Sequence, residues 1–208
     1  MTASFAIETT ITTLQELETR FQIQRASDGS FFPEWQDATG VDPITLDDST
    51  RKVLDHLRER FLNYYKAGLL TEGTVLLSIL GPLLDCLGFH EPPYFVRSEV
   101  GVTIEVVERD EVYRGRMDVL IVRDRLWILT LEAKRSKFAA DVALPQCLAY
   151  LGAAPQFPAF GLVTNGSDFI FCKLAGQTYD FSDPFSLLSH HNRLYAIAMI
   201  LLRLKALL

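Results

Sequence analysis

The chain contains few cysteines, and they form no metal-binding or disulfide motif. Cys86, Cys147 and Cys172 are the three cysteines among 208 residues; each lies in an apolar stretch, and no C-x-x-C pair occurs. Zinc ribbons and small secreted domains depend on paired or closely spaced cysteines. We therefore expect three reduced thiols in the core of a cytoplasmic protein.

Several catalytic motifs are also missing. The four histidines do not form H-E-x-x-H or H-x-x-E-H, which argues against a zinc hydrolase of those types. There is no G-x-S-x-G turn of the kind that presents a serine nucleophile, and no G-x-x-x-x-G-K-[ST] loop of a nucleotide-driven motor. A zinc hydrolase, a serine hydrolase with that turn and a helicase motor are therefore not expected.

Long apolar segments and targeting signals are not apparent. The most apolar stretch covers residues 194–202 between Arg193 and Arg203, which is too short to span a bilayer. The N-terminus lacks the basic and apolar regions of a secretory signal, and the chain shows no repeat or low-complexity tract. We expect a single domain in the cytoplasm that has no membrane partner.

Composition and charge indicate a folded, acidic protein. Hydrophobic residues make up 49% of the chain and the formal net charge is −6. Such a charge does not favour binding to a polyanion. However, residues 109–137 contain eight Lys or Arg residues against five Asp or Glu residues. This stretch is compatible with a basic cleft and equally with a strand edge that is protected by charge.

The order of predicted elements divides the chain into three parts. A capping box at Thr13–Glu16 predicts a helix to about Phe21, and a second helix is expected over 50–66. The pattern then predicts a helix over 71–87 with a kink at Gly81-Pro82, strands near 94–107, 112–122 and 126–133, and a helix over 139–152. A hairpin over 160–173 and a last helix over 184–207 follow. We divide the domain into an N-terminal helical extension (1–66), a core (67–175) and a C-terminal helix (176–208).

Two carboxylates and a lysine stand out in the strand-like runs. Asp118 lies within the run 115–122, and Glu132 lies near the end of the run 126–134. A carboxylate at the end of a buried strand needs a partner or a metal, because burying an unpaired charge is costly. Lys134 faces the same side as Glu132, since side-chain direction repeats every two residues in a strand. Two adjacent strands of this kind would form a pocket for a hard cation.

The D…E-x-K pattern resembles the PD-(D/E)XK nuclease superfamily. Gln146 and Tyr150 follow on a predicted helix and match the Q-x-x-x-Y motif of one branch, which includes the N-terminal nuclease domain of type I restriction motor subunits. The resemblance covers about residues 72–173, and Met117 stands where the pattern often has Pro. It implies an α/β/α sandwich of the restriction-endonuclease type around a central mixed sheet. The predicted element order suits the same fold.

The resemblance also implies an activity: metal-dependent hydrolysis of DNA phosphodiester bonds, linked to restriction or DNA repair. Asp118, Glu132 and Glu72 would hold Mg²⁺, for which Mn²⁺ would substitute. Lys134 and Gln146 would act in catalysis. Contacts to nucleic acid would come from five side chains, namely Gln146, Tyr150, Arg116, Arg135 and Lys137. DNA is the implied partner, and a homodimer or a partner subunit is compatible with this family.

Each of these roles has a plainer structural alternative. Glu72 has the position of an acid that favours the first turn of a helix, and Gln146 and Tyr150 share one helix face and could simply pack on the sheet. Asp118 could be an acid at an exposed strand end. A second hypothesis for the whole chain is therefore a non-cutting module that binds nucleic acid or partner proteins while keeping the nuclease fold.

Overall fold

The structure is a computed structural model that describes residues 3–36, 45–94, 96–97, 100–106, 111–117, 119–122, 126–130 and 140–207. Eleven strands lie in these ranges: β1 (Ala3–Ala6), β2 (Gln24–Arg25), β3 (Val96–Arg97), β4 (Val100–Val106), β5 (Glu111–Met117), β6 (Val119–Val122), β7 (Leu126–Thr130), β8 (Ala159–Thr164), β9 (Asp168–Ala175), β10 (Thr178–Phe181) and β11 (Phe185–Ser186). Eight α-helices accompany them in the same ranges: α1 (Ile7–Thr10), α2 (Leu14–Phe21), α3 (Pro33–Gln36), α4 (Asp48–Lys66), α5 (Glu72–Val75), α6 (Gly81–Cys86), α7 (Leu144–Leu151) and α8 (Leu194–Leu207).

A mixed sheet forms the centre of the fold. Within the described residues its strands follow the order β2-β10-β9-β8-β7-β6-β3, and β11 pairs with β9. The pair β7–β8 is parallel, as is β10–β2, whereas β6–β7 and β8–β9 are antiparallel. β1, β5 and β4 form a separate three-stranded sheet in which β1 runs parallel to β5. The predicted central mixed sheet is therefore confirmed.

Helices cover both faces of the central sheet, and the side chains of β8 and β9 show why. Phe160 and Leu162 join one core cluster with residues of α4, α6 and α8, whereas Ala159 and Val163 join a second cluster with residues of α2 and α7. β9 alternates in the same way. This period of two places large apolar side chains on both faces, so each face must be covered by helices. The result is the predicted α/β/α sandwich.

Local signals set the helix boundaries. Thr13 accepts a hydrogen bond from the Glu16 backbone N–H at 3.1 Å, and the Glu16 carboxylate accepts one from the Thr13 N–H at 3.0 Å, as expected for a capping box. Asp47 caps α4 by accepting a hydrogen bond from the Thr50 N–H at 2.6 Å. The buried residues of α4 are Leu54, Leu57 and Phe61, which lie three to four residues apart and form one apolar face.

The predicted helix over 71–87 contains the expected irregularity at Gly81-Pro82. α5 leads into a π-helical turn over Leu76–Leu80, and α6 continues from there. Pro82 has no N–H with which to bond the Ser78 carbonyl four residues earlier. Arg60 of α4 replaces it, donating from Nη1 to that carbonyl at 3.1 Å. The π turn thus accommodates the proline, and α4 satisfies the carbonyl that the proline leaves open.

Two segments differ from the sequence-based expectation. The helix predicted from Pro184 begins at Leu194, so the prediction was wrong for residues 184–193, where Phe185 and Ser186 instead pair with β9. Asn192 marks the true start, because its Oδ1 accepts a hydrogen bond from the Leu194 N–H at 3.0 Å. The N-terminal extension also contributes β1 and β2 to the two sheets. In the described part of the chain, no helix combines the length and the apolar character needed to cross a membrane.

Candidate active site

Three strands of the central sheet meet at one end. Val119, the first residue of β6, pairs with Leu129 of β7, and Thr130, the last residue of β7, pairs with Thr164, the last residue of β8. β6 therefore begins where β7 and β8 end. We call the sheet end formed by Val119, Thr130 and Thr164 the site end. Ends of parallel strands in α/β folds are common places for active sites because several connecting loops converge there.

The predicted metal ligands are close neighbours, in the sequence, of residues that form the site end. Asp118 directly precedes Val119, and Glu132 follows Thr130 by two residues. Asp118, Glu132 and Lys134 lie outside the described residues, as do Arg135 and Lys137. Their roles therefore remain predictions. The register of β6 and β7 shows that the described neighbours of the two carboxylates, Val119 and Thr130, belong to adjacent strands at the same end of the sheet.

Glu72 is the first residue of α5 and is partly exposed. Thr71 caps this helix by accepting a hydrogen bond from the Thr74 N–H at 3.1 Å. Among the four residues of α5, Val75 is the buried one, and it lies directly against Gly166 in the turn between β8 and β9. Val75 therefore places the end of α5 beside the turn that follows the site end. Glu72 also has an interaction partner in the folded chain.

α7 connects β7 to β8 and carries Gln146 and Tyr150. Because β7 and β8 are parallel, the connecting helix starts at the end of the sheet where β7 finishes. Gln146 lies in the first turn of α7 and is the one residue of this helix that is not buried. Tyr150 is 2% exposed and belongs to the core cluster on that face of the sheet. Gln146 is therefore at the end of α7 that is nearer the site end. Tyr150 packs in the core, and its contact with nucleic acid remains a prediction.

The turn between β8 and β9 completes the described part of the site end. Thr164 is fully buried and Asn165 is 6% exposed, although both are polar. The Asn165 Oδ1 accepts hydrogen bonds from the backbone N–H groups of Ser167, at 2.9 Å, and Asp168, at 2.8 Å. Thr164 Oγ1 accepts another from the Gly166 N–H at 3.0 Å. These bonds fix the turn in place, as expected for Asn in such a position.

Arg116 lies in β5, where its backbone pairs with Gly101 of β4 in the three-stranded sheet. β5 ends at Met117, directly before Asp118. The predicted basic residue therefore lies on the strand that leads into the first carboxylate. Its contact with nucleic acid remains a prediction.

Cysteine chemistry is disfavoured close to α7. Cys147 of α7 and Cys172 of β9 have their Sγ atoms 3.6 Å apart in the core. The hydrogen bond with Cys147 and the burial of the thiol raise the pKa of Cys172 well above its ordinary value, so this thiol stays protonated at neutral pH. A protonated, buried thiol is neither a nucleophile nor a metal ligand. Among the described residues, no group of three or more His, Cys, Asp or Glu side chains is arranged to hold a metal.

The sequence analysis missed the packing roles of two glycines, Gly161 and Gly166. Gly166 lies within the predicted hairpin over 160–173, but its contact with Val75 joins segments that are distant in sequence. Gly161 lies in β8 beneath α7, close to Cys147 and Cys172. A glycine inside a strand often marks a close approach of another element, and that was the one available signal for Gly161.

Comparison with known proteins identifies a family. The model of the type I restriction enzyme R protein N terminus (HSDR_N) matches residues 45–179, which is more than half of the chain. The match spans α4, α5, α7 and the strands of the site end. No curated protein and no solved structure matches the chain.

Proposed function

Since the chain belongs to the family of type I restriction enzyme R protein N-terminal domains, we propose that it is a Mg²⁺-dependent DNA nuclease of the PD-(D/E)XK type. The family makes it a nuclease-like module related to type I restriction enzymes. The metal dependence, the individual ligands and the cutting of DNA are our proposal. A partner subunit is compatible with the family description, which names one protein of a larger enzyme.

One observation supports the proposal most: the convergence of β6, β7 and β8 at the site end. Val119 and Thr130, which flank Asp118 and Glu132 in sequence, lie on hydrogen-bonded neighbouring strands. α5 contacts the turn after β8 through Val75, and α7 starts at the same end of the sheet, so Glu72 and Gln146 suit roles in the same site.

The chemistry of the donor set fits a hard cation. Mg²⁺ prefers carboxylate and water oxygens, and Asp118, Glu132 and Glu72 would supply the carboxylates. When bound, the ion would polarise the scissile phosphate and lower the pKa of a coordinated water. Lys134 would orient the attacking water or stabilise the negative charge that develops on the phosphate. Gln146 would hold the DNA strand against the site from α7, with Tyr150 supporting that face of the helix.

Charge is the main difficulty for an acidic protein that binds DNA. The net charge of −6 opposes association, so local cations must provide the attraction. Arg116 precedes the first carboxylate, and Arg135 and Lys137 follow the second one. We propose that these three side chains contact phosphates on either side of the scissile bond. Under the alternative hypothesis, a module that binds nucleic acid without cutting it, the same basic side chains would be needed but the carboxylates would not.

Cleavage of linear and plasmid DNA in Mg²⁺ or Mn²⁺ tests the proposal. Asp118→Ala, Glu132→Ala and Lys134→Ala should each lower the rate by about 10²–10³, the loss typical for one stabilising group at the reacting centre. Asp124→Ala is a matched control, because Asp124 precedes β7 whereas Glu132 follows it. The control variant should cleave at the wild-type rate.

Two results would contradict the proposal. Full activity in Glu132→Ala would mean that another site or a contaminant is responsible. Wild-type protein that binds DNA but leaves every DNA and RNA substrate intact with either metal would favour the non-cutting module.

A further inference from the structure

Gly166 allows an unusually close contact between the β8–β9 turn and α5. A Cβ atom at this position would lie 2.5 Å from Val75 Cγ2, 3.6 Å from Cγ1 and 3.7 Å from Cβ. The φ angle of Gly166 is +86°, a value that residues with side chains rarely adopt. Two separate constraints therefore require glycine here: the backbone angle and the space occupied by Val75.

The turn is held from the sheet side, so it offers α5 a fixed surface. Asn165 bonds to two backbone N–H groups within the turn. The Ser167 carbonyl also accepts a hydrogen bond from the Leu187 N–H at 2.8 Å, which ties the turn to the segment after β11. Any side chain added at Gly166 would therefore displace α5 more readily than the turn.

Val75 is the buried residue through which α5 is anchored. It lies three residues after Glu72, so the two share neighbouring positions on the helix surface. The π turn over Leu76–Leu80 and α6 both pack on α4, and α5 precedes them at the N-terminal end of the same helix. The contact between Val75 and Gly166 is consequently well placed to set where Glu72 stands relative to the site end.

We propose that Gly166 is a positioning residue: its missing side chain lets α5 dock on the β8–β9 turn so that Glu72 reaches the metal. This inference rests on the proposed function, because it takes Glu72 to be a ligand of the same ion as Asp118 and Glu132. Gly166 itself touches neither substrate nor metal. Its effect is transmitted through Val75 and the first turn of α5.

The test compares Gly166→Ala with a control variant in two assays on the full chain. Gly166→Ala should weaken Mn²⁺ binding by about 10-fold, measured on the free protein by electron paramagnetic resonance, as expected when a group that orients a ligand is disturbed. The Mg²⁺ concentration for half-maximal DNA cleavage should rise by a similar factor. Gly176→Ala is the matched control, because Gly176 also has a positive φ, +60°, but has no atom within 4 Å of an added Cβ. This control should change neither value.

Val75→Ala in the Gly166→Ala background tests the mechanism of the effect. It removes the two methyl groups nearest to the new Cβ and leaves the Val75 Cβ at an ordinary distance of 3.7 Å. Metal binding should recover to within about twofold of wild type if the clash displaced Glu72. Glu72→Gln should weaken metal binding by itself, and adding Gly166→Ala should weaken it little more, because both changes remove the same ligand.

Some results would refute the positioning role of Gly166 alone, and others would also refute the proposed nuclease function. Equal metal binding in Gly166→Ala and Gly176→Ala overturns the positioning role alone, as does the absence of rescue by Val75→Ala. Wild-type protein that neither binds Mn²⁺ nor cleaves DNA overturns both. The melting temperature of each variant, measured by circular dichroism, identifies any variant whose metal binding is lost through unfolding. If Gly166→Ala is such a variant, metal binding by the Gly166→Ala, Val75→Ala double variant decides whether Gly166 has the positioning role.

Discussion

Replacing Gly161 by alanine should destabilise the protein by crowding the contact between α7 and the sheet. The new Cβ would lie 2.5 Å from Cys172 Sγ, 2.6 Å from Cys147 Sγ and 3.4 Å from Leu151 Cδ1. Nonbonded heavy atoms in a core normally lie about 3.5–4 Å apart, so the overlap with each sulfur is about 1 Å. Both cysteines are buried, at 2% and 0% exposure, and have no solvent-facing space to move into.

Overpacking a close-packed core by one methyl group costs about 1–3 kcal/mol. For a chain of this size, each 1 kcal/mol lowers the melting temperature by about 2–4 °C, so 2 kcal/mol corresponds to about 4–8 °C. Urea unfolding followed by circular dichroism measures the loss directly. The slope of the unfolding free energy against urea should not change, since the same surface is exposed on unfolding.

Two control variants make the assignment specific. Gly73→Ala adds a methyl group with no atom within 4 Å, in a helix, and should be neutral or slightly stabilising. In a Cys147→Ala, Cys172→Ala background the crowding sulfurs are gone, so Gly161→Ala should cost less than about 0.5 kcal/mol there. An undiminished cost in that background, or wild-type stability of Gly161→Ala itself, would refute the packing argument.

Three further predictions concern charge. Glu34→Gln should cost about 3 kcal/mol in urea unfolding, because it leaves Lys173, whose side chain is 11% exposed, without the carboxylate that lies 2.8 Å away. A cost below about 1 kcal/mol, as for an exposed ion pair, would contradict the role of burial. Hydrogen bonds from Tyr195 and Asn192 lower the pKa of Asp55, so this group contributes stability above its unfolded pKa and loses it as pH falls through the folded pKa. The difference in unfolding free energy between wild type and Asp55→Asn should therefore be constant above about pH 5 and shrink below about pH 4. A difference that stays constant down to pH 2 would be evidence against this contribution of the Asp55 carboxylate. Replacing Arg135 and Lys137 by Ala should flatten the slope of the logarithm of the DNA-binding constant against the logarithm of the salt concentration, by about 0.9 for each phosphate that is no longer neutralised. Lys52→Ala, the control, should leave this slope unchanged. An unchanged slope in the double variant would mean that DNA binds elsewhere on the protein.

Elements with strong local signals were predictable from the sequence. The capping box at Thr13, the hairpin over 160–173 and the proline in the helix over 72–86 each act over a few residues. Such signals depend on backbone geometry and hydrogen bonds that neighbouring residues supply. They are therefore visible in the sequence and reappear in the fold.

Elements that depend on distant partners were not predictable. β1 is a strand because Ala3–Ala6 pair with Glu111–Arg114, and β11 exists because Phe185 pairs with Phe169. In both cases the tertiary contact outweighs the local preference of a short segment. The apolar pattern after Pro184 resembles a helix because Leu187 and Leu188 precede the true helix, whose start is fixed by Asn192.

For the candidate site, the pattern of carboxylates and its family were predictable, but the supporting contacts were not. The D…E-x-K and Q-x-x-x-Y spacing identified the family that residues 45–179 match. The approach of α5 to the β8–β9 turn depends on two residues, Val75 and Gly166, whose small or apolar side chains carry no chemical signature. Packing of this kind is visible only after the chain has folded.

Anomalous diffraction from crystals soaked in Mn²⁺ tests the central claim most directly. The account predicts a manganese peak at the site end, within coordination distance of the Asp118 and Glu132 carboxylates, with Lys134 directed into the same pocket. The peak should disappear in Asp118→Ala crystals treated in the same way. Carboxylates of Asp118 and Glu132 on opposite faces of the sheet, with no manganese between them, would contradict the account.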